Sequence, residues 1–235
     1  MIEKYQKNHL LQSLSIETQN RLAPSLKLIS MPLGMVLYES GDSLSYVYFP
    51  TDSIVSFLYV MENGSSAQIS IIGNDGFVGA SVFLGGESTI NRAVVQSAGF
   101  AYQLAKDQFK EEFNRYGDMM ILMLRHTQAL ITQMAQTAVC NRHHTIKQQL
   151  CRWLLLSLDR LPSNELNMTQ ELISNMLGVR REGVTEAAGK LQRLGAIKYN
   201  RGCITVLDRN LLEQHSCECY AVVKKEIDRL FPNNS

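Results

Sequence analysis

The 235-residue sequence predicts an α+β protein: an amino-terminal antiparallel β unit, one long helix, and a carboxyl-terminal helical unit closed by a β-hairpin. Three observations predict it. Short apolar runs in the first half are broken by turn clusters every ~8–12 residues, as in a small sandwich or barrel. A helical apolar period then runs unbroken except for Gly117. Finally, helical segments near the end give way to a strand–turn–strand pattern at Ile197–Leu207. The composition, 45% hydrophobic and 19% charged, is that of a folded globular chain. The longest apolar run, Met119–Leu124, falls far short of the ~20 residues that cross a bilayer, so no membrane association is expected.

Residues 8–28 space Leu10, Leu11, Leu14, Leu22 and Leu26 as a short helical lead-in. From Lys27 to Leu104, runs such as Tyr46-Val47-Tyr48-Phe49 and Ala67-Gln68-Ile69-Ser70-Ile71 read as strands. The turns between them fall at Ser40-Gly41-Asp42, Glu62-Asn63-Gly64-Ser65, Gly73-Asn74-Asp75-Gly76 and Gly85-Gly86. After Asp107 a single helix is expected to about Val139. Met120, Leu124, Thr127, Ile131, Met134 and Ala138 form a heptad seam on it, beside a second row of Met119, Met123, His126, Leu130, Gln133 and Thr137. One chain has little left to cover both rows, so a homodimer is expected, with His126 as a packed, hydrogen-bonded side chain. The predicted boundaries are 1–106 for the β unit, 107–139 for the dimer helix and 140–235 for the remainder.

Charge separates the halves. Residues 1–137 carry −3 and residues 138–235 carry +4, and the stretch Arg142–Arg201 holds ten basic against five acidic side chains. Such an excess suits a polyanionic partner. Inside it, Ser174 lets two helices approach, Gly178 turns the chain, and Val184 anchors a second helix beginning near Val179 or Arg180. With the hairpin at Asn200-Arg201-Gly202, this is a winged helix-turn-helix outline. Arg181 and Glu182, on the first turn of the second helix, are placed to read base edges, with Thr185 and Glu186 one turn later. Thr169 and Gln170 start the preceding helix, Thr169 as its cap and as a phosphate contact. Paired Arg180 and Arg181 at a helix amino terminus oppose the helix dipole, and an anion there would relieve it.

The order of these units, with TQELISNMLGVRREGVTEAAGKLQRLGAI and YNRGCITVLDR, resembles the Crp/Fnr family of bacterial transcription regulators. The likeness covers nearly the whole chain and in the first half rests on YESGDSLSYVYFP and IIGNDGFVGASVFLGG. It implies a cyclic-nucleotide-binding-like β-roll of jelly-roll type, a dimerisation helix, and binding to a roughly palindromic double-stranded DNA operator. RNA polymerase is a further implied partner if the protein activates. In the family an Arg-Glu pair reads the half-site, here Arg181-Glu182, but Glu186 stands where a second Arg usually follows.

The effector pocket departs further. Its matching positions are Gly76, Gly79, Ala80, Asn91 and Arg92. Ala80 cannot hold a ribose hydroxyl, and Asn91 stands where an arginine would neutralise a cyclic phosphate. Arg92, one position along a strand, faces the other way. The β-roll is therefore expected to take a different small-molecule effector or none, cyclic AMP being the alternative.

No cofactor or metal is expected. The first cysteine is Cys140, which leaves no amino-terminal cluster for iron and sulfur. His215, Cys217, Cys219 and the Cys140–His143–His144 group lack zinc-finger spacing and read as reduced thiols and structural histidines, of no assigned role. The amino-terminal MIEKYQKNHL lacks the apolar stretch of a secretory leader, and five reduced cysteines suit the cytoplasm. An enzyme is not expected: no phosphate loop, dinucleotide fingerprint, serine elbow or HExxH helix occurs, and Glu111-Glu112 reads as a solvated helix face. The competing class is a β-roll module acting through protein contacts.

Overall fold

The computed structural model describes residues 7–86 and 88–232. Residues 1–6, which begin the stretch read above as free of a leader, lie outside the described residues. Helices α1 (His9–Gln12) and α2 (Ile16–Leu22) are started by side-chain caps: Asn8 accepts from the Leu11 N–H and Ser15 from the Thr18 N–H. Two antiparallel sheets follow. One orders β1 (Lys27–Met31), β7 (Gly99–Ala105) and β3 (Tyr46–Pro50), and the other β2 (Val36–Tyr38), β6 (Arg92–Ser97), β4 (Ile54–Val60) and β5 (Ser66–Ile72). Met31, Val47, Phe49, Val55, Ile72 and Leu104 fill the space they enclose. A row of rings, Phe49, Phe77, Phe109, Phe83 and Phe113, extends this core to the helices beyond, with neighbouring centroids 4.6–6.2 Å apart.

The single helix expected over 107–139 is two. Helix α3 (Lys106–Phe113) ends in a turn where Tyr116 adopts a positive φ of 58°, and α4 (Asp118–His143) restarts on a new line. Asp118 opens α4 and accepts from the Ser15 N–H and the Thr18 hydroxyl, so α2 is tied to the same corner. Nor is Glu112 solvated as expected. It is buried on α3, where the Arg21 guanidinium grips both its oxygens at 2.7 and 2.9 Å.

Helix α5 (Ile146–Leu158) begins with a Thr145–Gln148 capping box. Beyond it lie β8 (Glu165–Asn167), α6 (Gln170–Leu177), α7 (Arg181–Arg193), β9 (Ile197–Asn200), β10 (Cys203–Val206), α8 (Arg209–His215) and α9 (Glu218–Leu230). The hairpin turn is where the sequence puts it, Arg201 and Gly202 both having positive φ, and β8 adds a third strand. Helix α9 runs back along α4, its Ile227, Leu230 and Phe231 joining the core that contains Ala129 and Leu130. Among the described residues no helix is long and apolar enough to cross a membrane.

The carboxyl-terminal unit docks on the outer face of β4–β6, with Ile54 and Ile71 entering its core and a polar network beside them. Trp153 Nε1 donates to Gln68 (2.8 Å), whose amide reaches Ser56 and Gln96, and Gln96 lies 3.4 Å from the Ser157 hydroxyl. Arg160, at the end of α5, pairs with Asp75 of the β-roll at 2.6 Å. His126 of α4 sits beside them, ring to ring with Phe77 at 4.9 Å. Gly76 is required there: a Cβ would lie 2.2 Å from the imidazole.

Burial depresses the His126 imidazole to about 4, with the Asp75 carboxylate only partly opposing. The Phe77 N–H points at its Nε2 (3.4 Å), a bond that only the neutral ring accepts. An unfolded histidine takes up its proton near 6.5, so stability present above that pH is lost as pH falls toward 4, by about 3 kcal/mol in all. Urea unfolding at stepped pH should show this loss, and His126→Gln should flatten it between pH 6.5 and 4.

Candidate nucleic-acid interface and effector cavity

Helices α6 and α7 form the turn that the sequence predicts. The Thr169 hydroxyl caps α6 by accepting from the Leu172 N–H (3.2 Å). Gly178 ends α6 at φ 65°, ψ 33°, a left-handed conformation that costs a residue with a Cβ ~1–2 kcal/mol. Ile173, Leu177, Val184, Ala187 and Leu191 pack between the two helices and α5. Helix α7 starts one residue later than the sequence suggests, with Arg180 as its N-cap and no side-chain hydrogen bond there, so its first N–H groups face outward.

Arg180, Arg181, Glu182, Thr185, Glu186 and Thr169 are all exposed, and Gln170 is half-buried. Neither Arg180 nor Arg181 has an ion-pair partner among the described residues. Three of the candidates, Gln170, Thr185 and Glu186, are engaged within the unit. The Thr185 hydroxyl lies 2.7 Å from Gln170 Oε1, which ties the two helices together, and Glu186 pairs with Lys190 at 2.6 Å. That pairing holds the Glu186 carboxyl below its usual range. The wing adds Lys198 and Arg201, both exposed and absent from the predicted set although Tyr199-Asn200-Arg201-Gly202 signalled the hairpin. The Gly202 carbonyl accepts from the Met168 N–H (2.6 Å) and the Tyr199 hydroxyl donates to the Met168 carbonyl (2.9 Å), so the wing is fastened to the start of α6. The resulting surface is a helix amino terminus flanked by unneutralised cations, an arrangement that attracts phosphate.

A cavity of about 440 Å³ opens between the β-roll and α4. Tyr38, Phe57, Ala80, Ile90 and Asn91 line it from the sheet side, and Thr127, Leu130, Ile131 and Met134 from the helix. Of the five predicted pocket positions, Ala80 and Asn91 line it, and the other three do not. Gly76 is packed on His126, Gly79 lies against Val47, and Arg92 turns away to Glu39 at 3.2 Å. The Asn91 amide oxygen already accepts from the Tyr38 hydroxyl (3.1 Å), and burial pushes that phenol up. No cation lines the cavity among the described residues.

Along α4 the two predicted rows separate cleanly. Met119, Met123, His126, Leu130, Gln133 and Thr137 are buried within the chain, against the β-roll and α9. On the seam, Leu124 (48%) and Ile131 (56%) are exposed and Met120, Thr127 and Met134 half-buried, with Ile121 and Val139 exposed beside them. The sequence reading, which expected little of one chain to be left to cover both rows, did not place α9 against the inner one.

Two family models match the chain: the cyclic nucleotide-binding domain over residues 28–116 and the Crp-like helix-turn-helix domain over residues 148–215. The chain belongs to the Crp/Fnr family of transcription regulators. It is a DNA-binding regulator rather than an enzyme. Solved structures share its fold. A Crp/Fnr-family regulator of Eubacterium rectale is 15% identical at a TM-score of 0.66, covering 87% of this chain and 96% of that one. The c-di-GMP responsive regulator CLP of Xanthomonas campestris is 13% identical at 0.66, covering 83% and 100%. A Crp/Fnr-family regulator of Thermus thermophilus is 20% identical at 0.63, covering 81% and 98%. No curated protein matches the sequence.

One grouping in this Crp/Fnr chain crosses the sequence reading of its thiols. Cys140, Cys217 and Cys219 are buried together beside His144, while His143 is exposed and His215 stands apart. Cys140 and Cys217 share a hydrogen bond at 3.5 Å, which pulls the Cys217 thiol down and pushes that of Cys140 up.

The Gly178 geometry yields a direct check. A Cβ there meets that of Ala67 at 3.3 Å on top of the φ strain. Gly178→Ala should lower the unfolding free energy by ~1–2 kcal/mol, measured by denaturant titration.

Proposed function

We propose that the chain is a homodimeric regulator that reads a roughly palindromic operator and whose effector cavity does not take cyclic AMP. The observation that carries this reading is the exposed, unneutralised Arg180-Arg181 pair on the open first turn of α7. Arg181 can fork to guanine O6 and N7 and Glu182 can accept from cytosine N4. Arg180, Thr169 and the wing cations Lys198 and Arg201 suit phosphate oxygens. Gln170, Thr185 and Glu186 act from the same face, with the Gln170–Thr185 bond setting the register of the two helices. Because Glu186 stands one turn after the reading pair, the half-site is this protein's own.

Dimerisation places two copies of α7 ~34 Å apart, one turn of DNA. The seam Met120, Leu124, Thr127, Ile131 and Met134 supports it, within a dimer helix that runs 118–143 between a sensor unit and a DNA-binding unit. Thr127, Ile131 and Met134 belong both to the seam and to the cavity wall, so an occupant of the cavity acts on the dimer contact directly. Such an effector shifts DNA affinity only by as much as it prefers one arrangement of the dimer over the other. The cavity favours a small, largely apolar molecule, because a cyclic phosphate buried there would find no cation. The protein works in the cytoplasm, where its operator is, and contacts RNA polymerase if it activates.

Genomic SELEX with the purified chain, with and without cyclic AMP and at two salt concentrations, tests the proposal. The expected result is one palindromic motif, enriched equally with and without the nucleotide. Arg181→Ala should lose the sequence preference and ~1–3 kcal/mol of affinity. A motif that needs cyclic AMP would overturn the cavity reading, and Arg181→Ala binding like wild type would favour a module that docks on proteins.

A further inference from the structure

Where α4 meets the carboxyl-terminal unit, four soft donor atoms converge from distant parts of the chain. Cys140 lies in the last turn of α4, and His144 is the residue that caps it. Cys217 is the N-cap of α9, and Cys219 sits in its first turn. Their ligand atoms all lie within 4.8 Å of one another, and the three cysteines are buried. Cys140 Sγ and Cys217 Sγ are 3.5 Å apart, and Cys219 Sγ and His144 Nδ1 are 3.6 Å apart. A tetrahedral zinc ion with bonds of ~2.3 Å to sulfur and ~2.0 Å to nitrogen sets S–S edges of about 3.8 Å and S–N edges of about 3.5 Å. The two measured edges match that polyhedron within a few tenths of an ångström.

The surroundings fit the same occupant. His144 Nε2 faces Glu218 Oε2 at 3.3 Å, so a carboxylate orients the ring and leaves Nδ1 toward the sulfurs, as carboxylates do behind metal-bound histidines. Arg152 is 7% exposed, within electrostatic reach of Cys140 and Cys219. Its Nη2 donates to Thr137 (3.0 Å), but its Nε and Nη1 have no hydrogen-bond partner and no carboxylate pairs with it among the described residues. A buried guanidinium without a counter-charge is costly. Three thiolates and one neutral imidazole around a divalent ion sum to −1, the charge that Arg152 lacks. A disulfide between Cys140 and Cys217 would leave Cys219, His144 and Arg152 without a role.

We propose that Cys140, His144, Cys217 and Cys219 form a tetrahedral site for a thiophilic divalent cation of the zinc class. Loading it displaces to solvent the protons that the thiols still hold, forming three metal–sulfur bonds and one metal–nitrogen bond with no change of oxidation state. The site clasps the end of the helix that bears the seam to the helix that closes the carboxyl-terminal unit, across the junction at Thr145. It thereby fixes the angle between seam and helix-turn-helix.

The test is cobalt titration of the full chain, stripped with a chelator and kept reduced. The expected result is one Co(II) per chain with the intense visible bands of a tetrahedral ion and a sulfur-to-metal charge-transfer band, all displaced by stoichiometric zinc. Cys217→Ser and Cys219→Ser should lose the charge-transfer intensity while keeping the wild-type circular dichroism, and Glu218→Gln should weaken binding 10–100-fold. Cys203→Ser, outside the cluster, should titrate as wild type. Failure of the reduced wild-type chain to take up Co(II), weak octahedral bands, or an unchanged spectrum in both folded serine variants would overturn the proposal.

Discussion

Helix α4 carries more apolar surface than its own chain covers, and the rest of the molecule is arranged around that constraint. Its inner row is buried between the β-roll and α9, while Ile121, Leu124, Ile131 and Val139 remain on the surface. A contiguous apolar stripe of this kind marks an interaction face, and the heptad spacing of its core residues matches a second copy of the same helix. The sensor cavity is walled by that helix too. Seam and cavity share Thr127, Ile131 and Met134, so under the proposed function an occupant of the cavity would touch the dimer contact without any long-range pathway.

The joint between sensor and DNA-binding units buries Ile54 and Ile71 in the carboxyl-terminal core, but a polar network runs beside them. Gln68, Ser56, Gln96, Trp153 and Ser157 satisfy one another, and Asp75 with Arg160 closes the edge. Each such buried hydrogen bond adds only ~1 kcal/mol net, but an unpaired one costs more. The joint therefore specifies one docking geometry more than it adds stability. With α9 strapped along α4, the recognition helix is held in a defined relation to the seam.

Much of this was legible because it is local. Thr169, Ser174, Gly178 and Val184 each answer to a constraint a few residues away, a cap, a close approach, a left-handed turn and an anchor, and the structure has all four in place. The Arg201-Gly202 hairpin and the two rows on α4 belong to the same class. Long-range placements were not legible. Nothing near Glu112 announces Arg21, which lies 91 positions away, and nothing near Gly76 announces the His126 ring. Cys140 and Cys217, 77 positions apart, each look like lone thiols until α9 folds back along α4. The break at Tyr116, an exposed residue, had a local signal in the helix-stop residues Asn114 and Gly117, but the apolar period on either side reads straight across it. In the cavity, Ala80, Asn91 and the outward turn of Arg92 were readable from residue type and strand alternation, and only the Glu39 partner of Arg92 was not.

In the proposed dimer, the exposed seam of α4 joins the two copies whose recognition helices reach one operator. Sedimentation equilibrium on wild type and on Leu124→Glu/Ile131→Glu, with each species then titrated with the selected operator, tests it most directly. The expected result is a wild-type dimer and a folded, monomeric variant that binds the operator no better than random DNA. A wild-type monomer, or a charged variant that remains dimeric and reads the operator, would contradict it.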